Sequence, residues 1–217
     1  MYEIRGFVGA DFAENAYLVR RRDSASVVAI DPGRQAAEVA DAVAGAGLTL
    51  EAILLTHAHL DHIEGIATLR ERHPAPIRLH PADRSMYDAI EQQAAMFGLR
   101  AERQPPPDAE LADGETFEAA GVRFEVRHTP GHSPGHVILY MPDASAALVG
   151  DVIFQGSIGR TDLPGGDYRT LIASIRARVL TLPDDTVLHP GHGPRTTVLH
   201  ERKTNPFLVP QYGGSLA

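Results

Sequence analysis

Thr56-His-Ala-His-Leu-Asp-His62 sets three imidazoles and a carboxylate within the six positions 57 to 62. These are ligand types that suit zinc and neighbouring transition metals. Folding alone gives little reason for such crowding, because clustered histidines repel once protonated. On an extended loop alternate residues point the same way, so His57 and His59 are expected to converge on one ion. Asp61 and His62 then face a second point nearby.

The flanks place the cluster. Ala52-Ile-Leu-Leu55 is an apolar run long enough for a buried strand. After the cluster, Ile63, Ile66, Ala67 and Leu69 recur at helical spacing as far as Arg72, and Pro74 closes the helix. The cluster therefore sits between the C-terminal end of a strand and the start of a helix, where loops carry chemistry on a rigid α/β scaffold.

Working outward, strands are expected at 2–7, 15–21 and 27–30, and Asp31-Pro-Gly33 reads as a turn. A helix is expected over 35–46, with Ala36, Val39, Ala40 and Val43 inward and Gly47 ending it. A strand at 77–80 precedes a helix over 83–97, opened by Pro81, carrying Met86, Ile90 and Met96 on one side and stopped by Gly98. The segment 100–108, with Pro105-Pro-Pro107, reads as extended. Strands follow at 115–119, 122–128, 136–140 and 146–149. A helix is expected over 168–182, with Leu171, Ile172, Ile175 and Val179 inward, and a last strand at 187–189. Strands then helix, twice over, predict two similar halves in a layered α/β domain.

Three more strand ends carry metal-capable side chains. His128-Thr-Pro-Gly-His-Ser-Pro-Gly-His136 is a tight loop with His132 at its centre. Gly150-Asp151 follows an apolar strand, and His189-Pro-Gly-His-Gly193 exposes His192 after the last one. A lone histidine or aspartate at a strand end is usually a cap or a satisfied polar group. Four such ends in one domain point jointly to a metal site.

Composition sets the outer bounds. The 217 residues are 43% hydrophobic, enough for a full core. With no cysteine there is no disulfide, thiol nucleophile or thiolate ligand. A formal charge of −8 and no visible basic stripe argue against a nucleic-acid partner. The N-terminus, Met1-Tyr-Glu-Ile-Arg-Gly6, has neither a basic nor an apolar leader segment, and no apolar run approaches membrane-spanning length. A cytoplasmic protein with no membrane partner is the expectation.

In order and spacing, His57-x-His59-x-Asp61-His62 followed by His132, Asp151 and His192 resembles the metallo-β-lactamase superfamily. Gly156-Ser-Ile-Gly-Arg-Thr-Asp162 and His200-Glu-Arg-Lys-Thr-Asn-Pro-Phe-Leu208 look like its short glyoxalase II-type hydrolases, the hydroxyacylglutathione hydrolases. The resemblance covers nearly the whole chain. It implies an α/β fold, a four-layer αββα sandwich of two mixed β-sheets flanked by helices. It further implies one domain over 1–217 with no separate C-terminal helical substrate domain. His57, His59 and His132 would hold one metal, Asp61, His62 and His192 a second, and Asp151 would bridge them. The cofactors implied are two divalent ions, zinc first, with iron or manganese as alternatives. Branches that use a cysteine ligand near Asp151, among them the commonest β-lactamase pattern, are disfavoured because the chain has none.

Two ions sharing one water lower its pKa from about 15.7 toward 7. The implied reaction is therefore attack of that hydroxide on a small thioester such as S-D-lactoylglutathione, with Asp61 and Asp151 as the catalytic carboxylates. A thiolate leaving group, with a pKa of about 8.5, needs little help from an acid. Arg160 stands nine positions after Asp151, where two-domain glyoxalase II enzymes place a basic residue against glutathione. Its planar fork suits a substrate carboxylate or, equally, an ion pair with Asp162 or Asp167. The alternative activity is that of the iron-dependent glutathione persulfide dioxygenases, which share the Gly159–Asp162 run and hold one iron by the equivalents of His57, His132 and Asp151. A purely structural metal would need only a closed four-ligand site. Thr56, His128, Thr129 and His136 neighbour the ligands and are candidates to brace them. His73, His80 and His200 read as surface or structural.

Overall fold

The structure, a computed structural model, describes residues 1–209. The last eight positions of the predicted domain lie outside them. The first half holds β1 (Tyr2–Val8), β2 (Asn15–Arg21), β3 (Ser26–Ile30), α1 (Ala36–Gly45), β4 (Thr49–Leu54), α2 (Leu60–Ile63), α3 (Ile66–Arg72), β5 (Ile77–Leu79), α4 (Arg84–Asp88), α5 (Ile90–Met96) and β6 (Ala109–Glu110). The second holds β7 (Thr116–Ala119), β8 (Val122–His128), β9 (Val137–Met141), β10 (Ala146–Gly150), β11 (Ile153–Phe154), β12 (Ser157–Ile158), α6 (Tyr168–Ser174), β13 (Val187–Pro190), β14 (Thr196–Thr197) and α7 (Val198–Thr204).

The strands form two six-stranded sheets, in the orders β1-β2-β3-β4-β5-β6 and β14-β13-β10-β9-β8-β7. Both are mixed. β1 to β3 pair antiparallel and β3 to β6 parallel. In the second sheet only β10 and β13 pair parallel. β11 and β12 form a separate small hairpin.

Side-chain alternation explains the layers. Successive residues of a strand face opposite sides, so a strand apolar at every position must be covered on both. In β2, Ala16 and Leu18 face the core under α1 and α3, while Tyr17 and Val19 face the second sheet. In β9, Val137, Leu139 and Met141 face the first sheet, while Ile138 and Tyr140 pack with α6. Three buried apolar clusters therefore separate four layers, helix, sheet, sheet, helix, as the resemblance implied.

The helices depart from the sequence reading in instructive ways. α1 buries Ala36, Val39, Ala40 and Val43, and Gly47, at φ 63°, reverses the chain where a side chain would be strained. The segment expected to run unbroken over 83–97 bends at Ala89 into α4 and α5. There the Met86 carbonyl accepts from Ala89 N three residues on (3.1 Å) and from Gln93 Nε2 (2.9 Å). A side-chain amide thus fills the place of the helical bond. Ile90 is buried, Met86 is half-buried, and Met96, expected inward, is 61% exposed. The helix expected over 168–182 starts at α6, where Asp167 accepts from Thr170 N (2.7 Å), and continues as a π-helical turn over Ile175–Val179. Its four expected inward residues are all buried.

Candidate metal centre

The C-terminal ends of β3, β4, β8, β10 and β13 meet along the seam between the sheets. β4 leads into the loop holding His57, His59, Asp61 and His62. β8 leads to His132, β10 to Asp151 and β13 to His192. All seven sequence-predicted ligands come together. His57, His59 and His132 form one group with ligand atoms within 4.8 Å of each other, and Asp61, His62 and His192 form another. Asp151 lies between them. Its Oδ2 is 3.5 Å from His132 Nε2 and 3.4 Å from His192 Nε2, and its Oδ1 is 3.5 Å from His62 Nε2.

Hydrogen bonds fix which nitrogen faces inward in four of the five rings, all but His59. His132 Nδ1 meets the Arg160 carbonyl (2.8 Å), an acceptor only, so it carries the proton and Nε2 is a lone pair. His192 Nδ1 meets the Phe12 carbonyl (3.1 Å), and His62 Nδ1 meets Asp31 Oδ2 (3.1 Å). Thr56 Oγ1 donates to Asp31 Oδ2 (2.6 Å), so it must accept from His57 Nδ1 (3.1 Å). Four inward-facing Nε2 atoms result. Those of His57 and His132 stand 3.2 Å apart, with His59 Nδ1 2.8 Å from the latter. Facing lone pairs repel unless a cation lies among them. Buried His62 Nε2 and Asp151 Oδ1 have no hydrogen-bond partner among the described residues. Such a donor set, turned inward and held from outside, fits divalent metal.

The electrostatics agree. Burial pushes His57 and His136 well below the ordinary imidazole range, His59 to about 3, and His132 down. Burial acts the same way on His62 and His192. There the Asp151 and Asp61 carboxylates prevail, raising His62 well above its usual value and His192 to about 10. Burial would raise Asp151, but His62 and His192 hold it well below the carboxylate range. Negative charge is thus concentrated where a cation would replace two protons.

The bracing residues were only partly visible in sequence. Asp31, read as part of a turn, is buried in a left-handed conformation (φ 47°) and accepts from Thr56 N (2.7 Å), Thr56 Oγ1 and His62 Nδ1. Asp83, not singled out, is fully buried and accepts from Ala58 N (3.0 Å), Ser133 Oγ (2.7 Å) and Gly135 N (2.5 Å). It ties the His57–His62 loop to the His132 loop. His136 Nε2 accepts from Asp151 N (3.0 Å) and its Nδ1 donates to Thr129 Oγ1 (3.0 Å), fixing the backbone of Asp151. His128 closes its own loop through the Pro134 carbonyl (2.8 Å) and stacks on His80 at 4.2 Å. His73 meets the Ala40 carbonyl (3.0 Å), a structural contact, and His200 is exposed.

A cleft of about 340 Å³ opens over the centre, walled by Phe12, Phe97, Phe154 and Leu163. Arg160 lines it, and its guanidinium forks onto Asp162 (2.7 and 2.8 Å) at an exposed position. Asp167 is not its partner; it caps α6. No described helix is long and apolar enough to cross a membrane.

Comparison with known proteins agrees with this geometry. The profile described as "Metallo-beta-lactamase superfamily" matches residues 9–192. The chain is 39% identical over 204 residues to the hydroxyacylglutathione hydrolase GloC of Haemophilus influenzae, covering 91% of this chain and 93% of that one. It is 41% identical over 196 residues to the probable metallo-hydrolase YqgX of Bacillus subtilis, covering 89% and 92%. Among solved structures, TTHA1623 in a di-iron-bound form matches with TM-score 0.86 and 43% identity, over 94% of this chain and 100% of that one. The B3 metallo-beta-lactamase BLEG-1 matches at 0.89 and 37%, over 96% and 100%. ETHE1 from Myxococcus xanthus matches at 0.81 and 25%, over 98% and 86%.

Proposed function

The chain belongs to the metallo-beta-lactamase superfamily, and we propose that it is a dinuclear metal-dependent hydrolase of a small thioester, S-D-lactoylglutathione or a relative. Its metal-binding character follows from the family and the His/Asp groups. The observation that carries the finer reading is the pair of inward-facing ligand groups with the Asp151 carboxylate between them. A single ion held by His57, His132 and Asp151 would leave His62, His192 and Asp61 without a task. Yet Asp31 and the Phe12 carbonyl orient two of those side chains as carefully as the first group is oriented. The likeness to GloC supports the substrate class.

His57, His59 and His132 would hold one ion and Asp61, His62 and His192 the other, with Asp151 shared. Bound divalent ions supply an acidified water and a polarised carbonyl. The protein's own contribution is placement and charge. Asp61 and Asp151 would offset the cations, and the outward N–H bonds of His57, His62, His132 and His192 leave Nε2 as the nitrogen each of these rings presents. Phe12, Phe97 and Phe154 give the cleft an apolar wall beside the ligands. At the rim, Arg160 is a candidate grip for a carboxylate on the thiol half. Its pairing with Asp162 is exposed and screened by solvent, and yields readily to a substrate.

The second reading, persulfide oxidation at one iron, is the one the likeness to ETHE1 fits. The likeness to BLEG-1 adds a β-lactam amide as a third substrate to test. The test is to load the purified protein with zinc and separately with iron and count bound ions. Hydrolysis of S-D-lactoylglutathione is then assayed beside a β-lactam and beside oxygen uptake with glutathione persulfide. Two ions and thioester hydrolysis are expected, with turnover abolished in a folded Asp151→Ala protein. One iron with oxygen uptake, or β-lactam cleavage without thioester cleavage, overturns the reading.

A further inference from the structure

A second cavity, of about 350 Å³, opens beside the metal cleft and shares four walls with it, His59, Gln93, Phe97 and Leu163. It runs between the α4–α5 bend and the Leu163–Gly165 loop, and Ser85, Met86, Ala89, Gln92, Met96 and Pro134 are among its other lining residues. None of the described residues lining it is charged. Arg160 lines the metal cleft but not this groove. Met96 and Phe97 are 61% and 44% exposed, an apolar surface left in water that a ligand would cover.

We propose that this groove seats the acyl half of the thioester, and that the preferred acyl group is an apolar chain larger than lactoyl. The inference rests on the thioester reading above and narrows its substrate class. Thiol carriers such as glutathione are charged, and nothing in the groove pairs with charge. The cleft rim, with Arg160, is where the carrier half finds a partner. The acyl half is the part whose burial the groove rewards. Two methionines give the lining a soft surface that adapts to chains of different shape. The groove is also fixed relative to the ligands. Gln93, in its wall, accepts from Leu60 N (3.1 Å) and donates to the Ala58 carbonyl (2.9 Å), so one side chain sets both the groove and the His57–His62 loop. A chain lying along α5 is thereby held in register with His59.

The test uses the zinc-loaded protein and two matched series on one neutral thiol, N-acetylcysteamine. Non-hydrolysable S-alkyl thioethers, methyl to hexyl, read binding by calorimetry. Thioesters, acetyl to hexanoyl, read kcat/KM. Burying one methylene should raise both by about fourfold per carbon until the groove is full. Met96→Glu and Ser85→Trp, both at exposed positions in the groove, should flatten the rise, bringing hexyl binding and hexanoyl turnover down toward the methyl and acetyl values. Flat binding across the wild-type series, or a slope that survives both variants, overturns the groove whatever the activity. Rising thioether affinity without hydrolysis of any thioester leaves the groove standing and removes the hydrolase reading instead.

Discussion

Replacing Asp31 by asparagine should disable the centre without touching a ligand. The carboxylate takes three hydrogen bonds, Oδ1 from Thr56 N and Oδ2 from Thr56 Oγ1 and His62 Nδ1. Asparagine is nearly isosteric but has one acceptor and one donor. With its oxygen toward Thr56 N, its NH2 faces two groups that must now accept. His62 complies by moving its proton to Nε2, the nitrogen that should present a lone pair. Thr56 complies by turning its hydroxyl toward His57 Nδ1, which forces the His57 proton onto Nε2 as well. With the amide flipped, the NH2 opposes the backbone N–H of Thr56, a buried donor clash costing about 1–3 kcal/mol. The first orientation penalises a ligand in each metal group, and the second keeps both lone pairs inward only by bearing that clash. Losing one such outer partner typically costs 10–100-fold in metal affinity. With both groups affected, the expected loss is toward the upper figure, about 2.8 kcal/mol by the tenfold-per-1.4 kcal/mol relation. Zinc titration of the metal-free proteins against a chromogenic chelator gives affinity and stoichiometry together, and far-UV circular dichroism verifies folding. A folded Asp31→Asn protein that binds two zinc ions as tightly as the wild type would refute the tautomer argument.

Three other outcomes follow from the same geometry. Without metal, stability should peak near the unfolded imidazole pKa of 6.5. His62 and His192 have raised folded values, His192 to about 10, so their stabilisation is complete below 6.5 and lost as pH rises toward 10. His57, His59, His132 and His136 have lowered values, so theirs is present above 6.5 and lost as pH falls. Melting temperatures of the apoprotein from pH 5 to 10 test this, and a steady rise to pH 9 would contradict it. Gly191→Ala would set a methyl 2.2 Å from Asp151 Oδ1 and 2.6 Å from His62 Cε1; zinc stoichiometry should fall, and two fully bound ions would show that the carboxylate moves aside. Arg160→Ala should raise KM for glutathione thioesters by about tenfold, the scale of one charge-assisted hydrogen bond, and leave N-acetylcysteamine thioesters unaffected; equal effects on both would remove Arg160 from substrate binding.

The ligands were legible because metal chemistry restricts residue type so strongly. His57, His59, Asp61 and His62 announce themselves by density, and His132, Asp151 and His192 by recurring just after apolar strands. The order of strands and helices made the two halves readable, while the four layers came from the family resemblance; the structure shows them in β2 and β9, whose two faces enter different apolar clusters. What stayed hidden depends on contacts across long stretches of chain. Asp31 and Asp83 look like ordinary turn and helix-start residues, yet each binds backbone 25 positions away. The bend at Ala89 comes from the Gln93 amide capturing the Met86 carbonyl, which no periodicity records. β14 and α7, not anticipated, hang on buried Glu201, which accepts from Thr196 Oγ1, Gly156 N and Asn205 Nδ2. A signal was present there in the polar residues of His200–Leu208, but not its geometry.

The placement of the centre on the seam bears on what metal contributes. The first sheet supplies His57 to His62 and the second supplies His132, Asp151 and His192, so bound ions would bridge the two halves. The halves are nevertheless already joined around the site. Val137 N donates to the Thr56 carbonyl (2.8 Å), Asn15 N to Gly191 O (2.7 Å) and Tyr17 Oη to Pro190 O (2.7 Å), while Asp83 ties both loops together. Behind these bonds lies the apolar cluster shared by the two sheets. In a small zinc domain the ligands are scattered until metal gathers them, and binding free energy is folding free energy. Here the rings are oriented beforehand by acceptors that do not depend on the ion. The opposed lone pairs of His57 and His132 are a repulsion the surrounding fold sustains. Metal binding relieves that repulsion instead of assembling the site. Its free energy is therefore expressed chiefly as affinity, and the ligand geometry is set by packing rather than by the particular ion that occupies it.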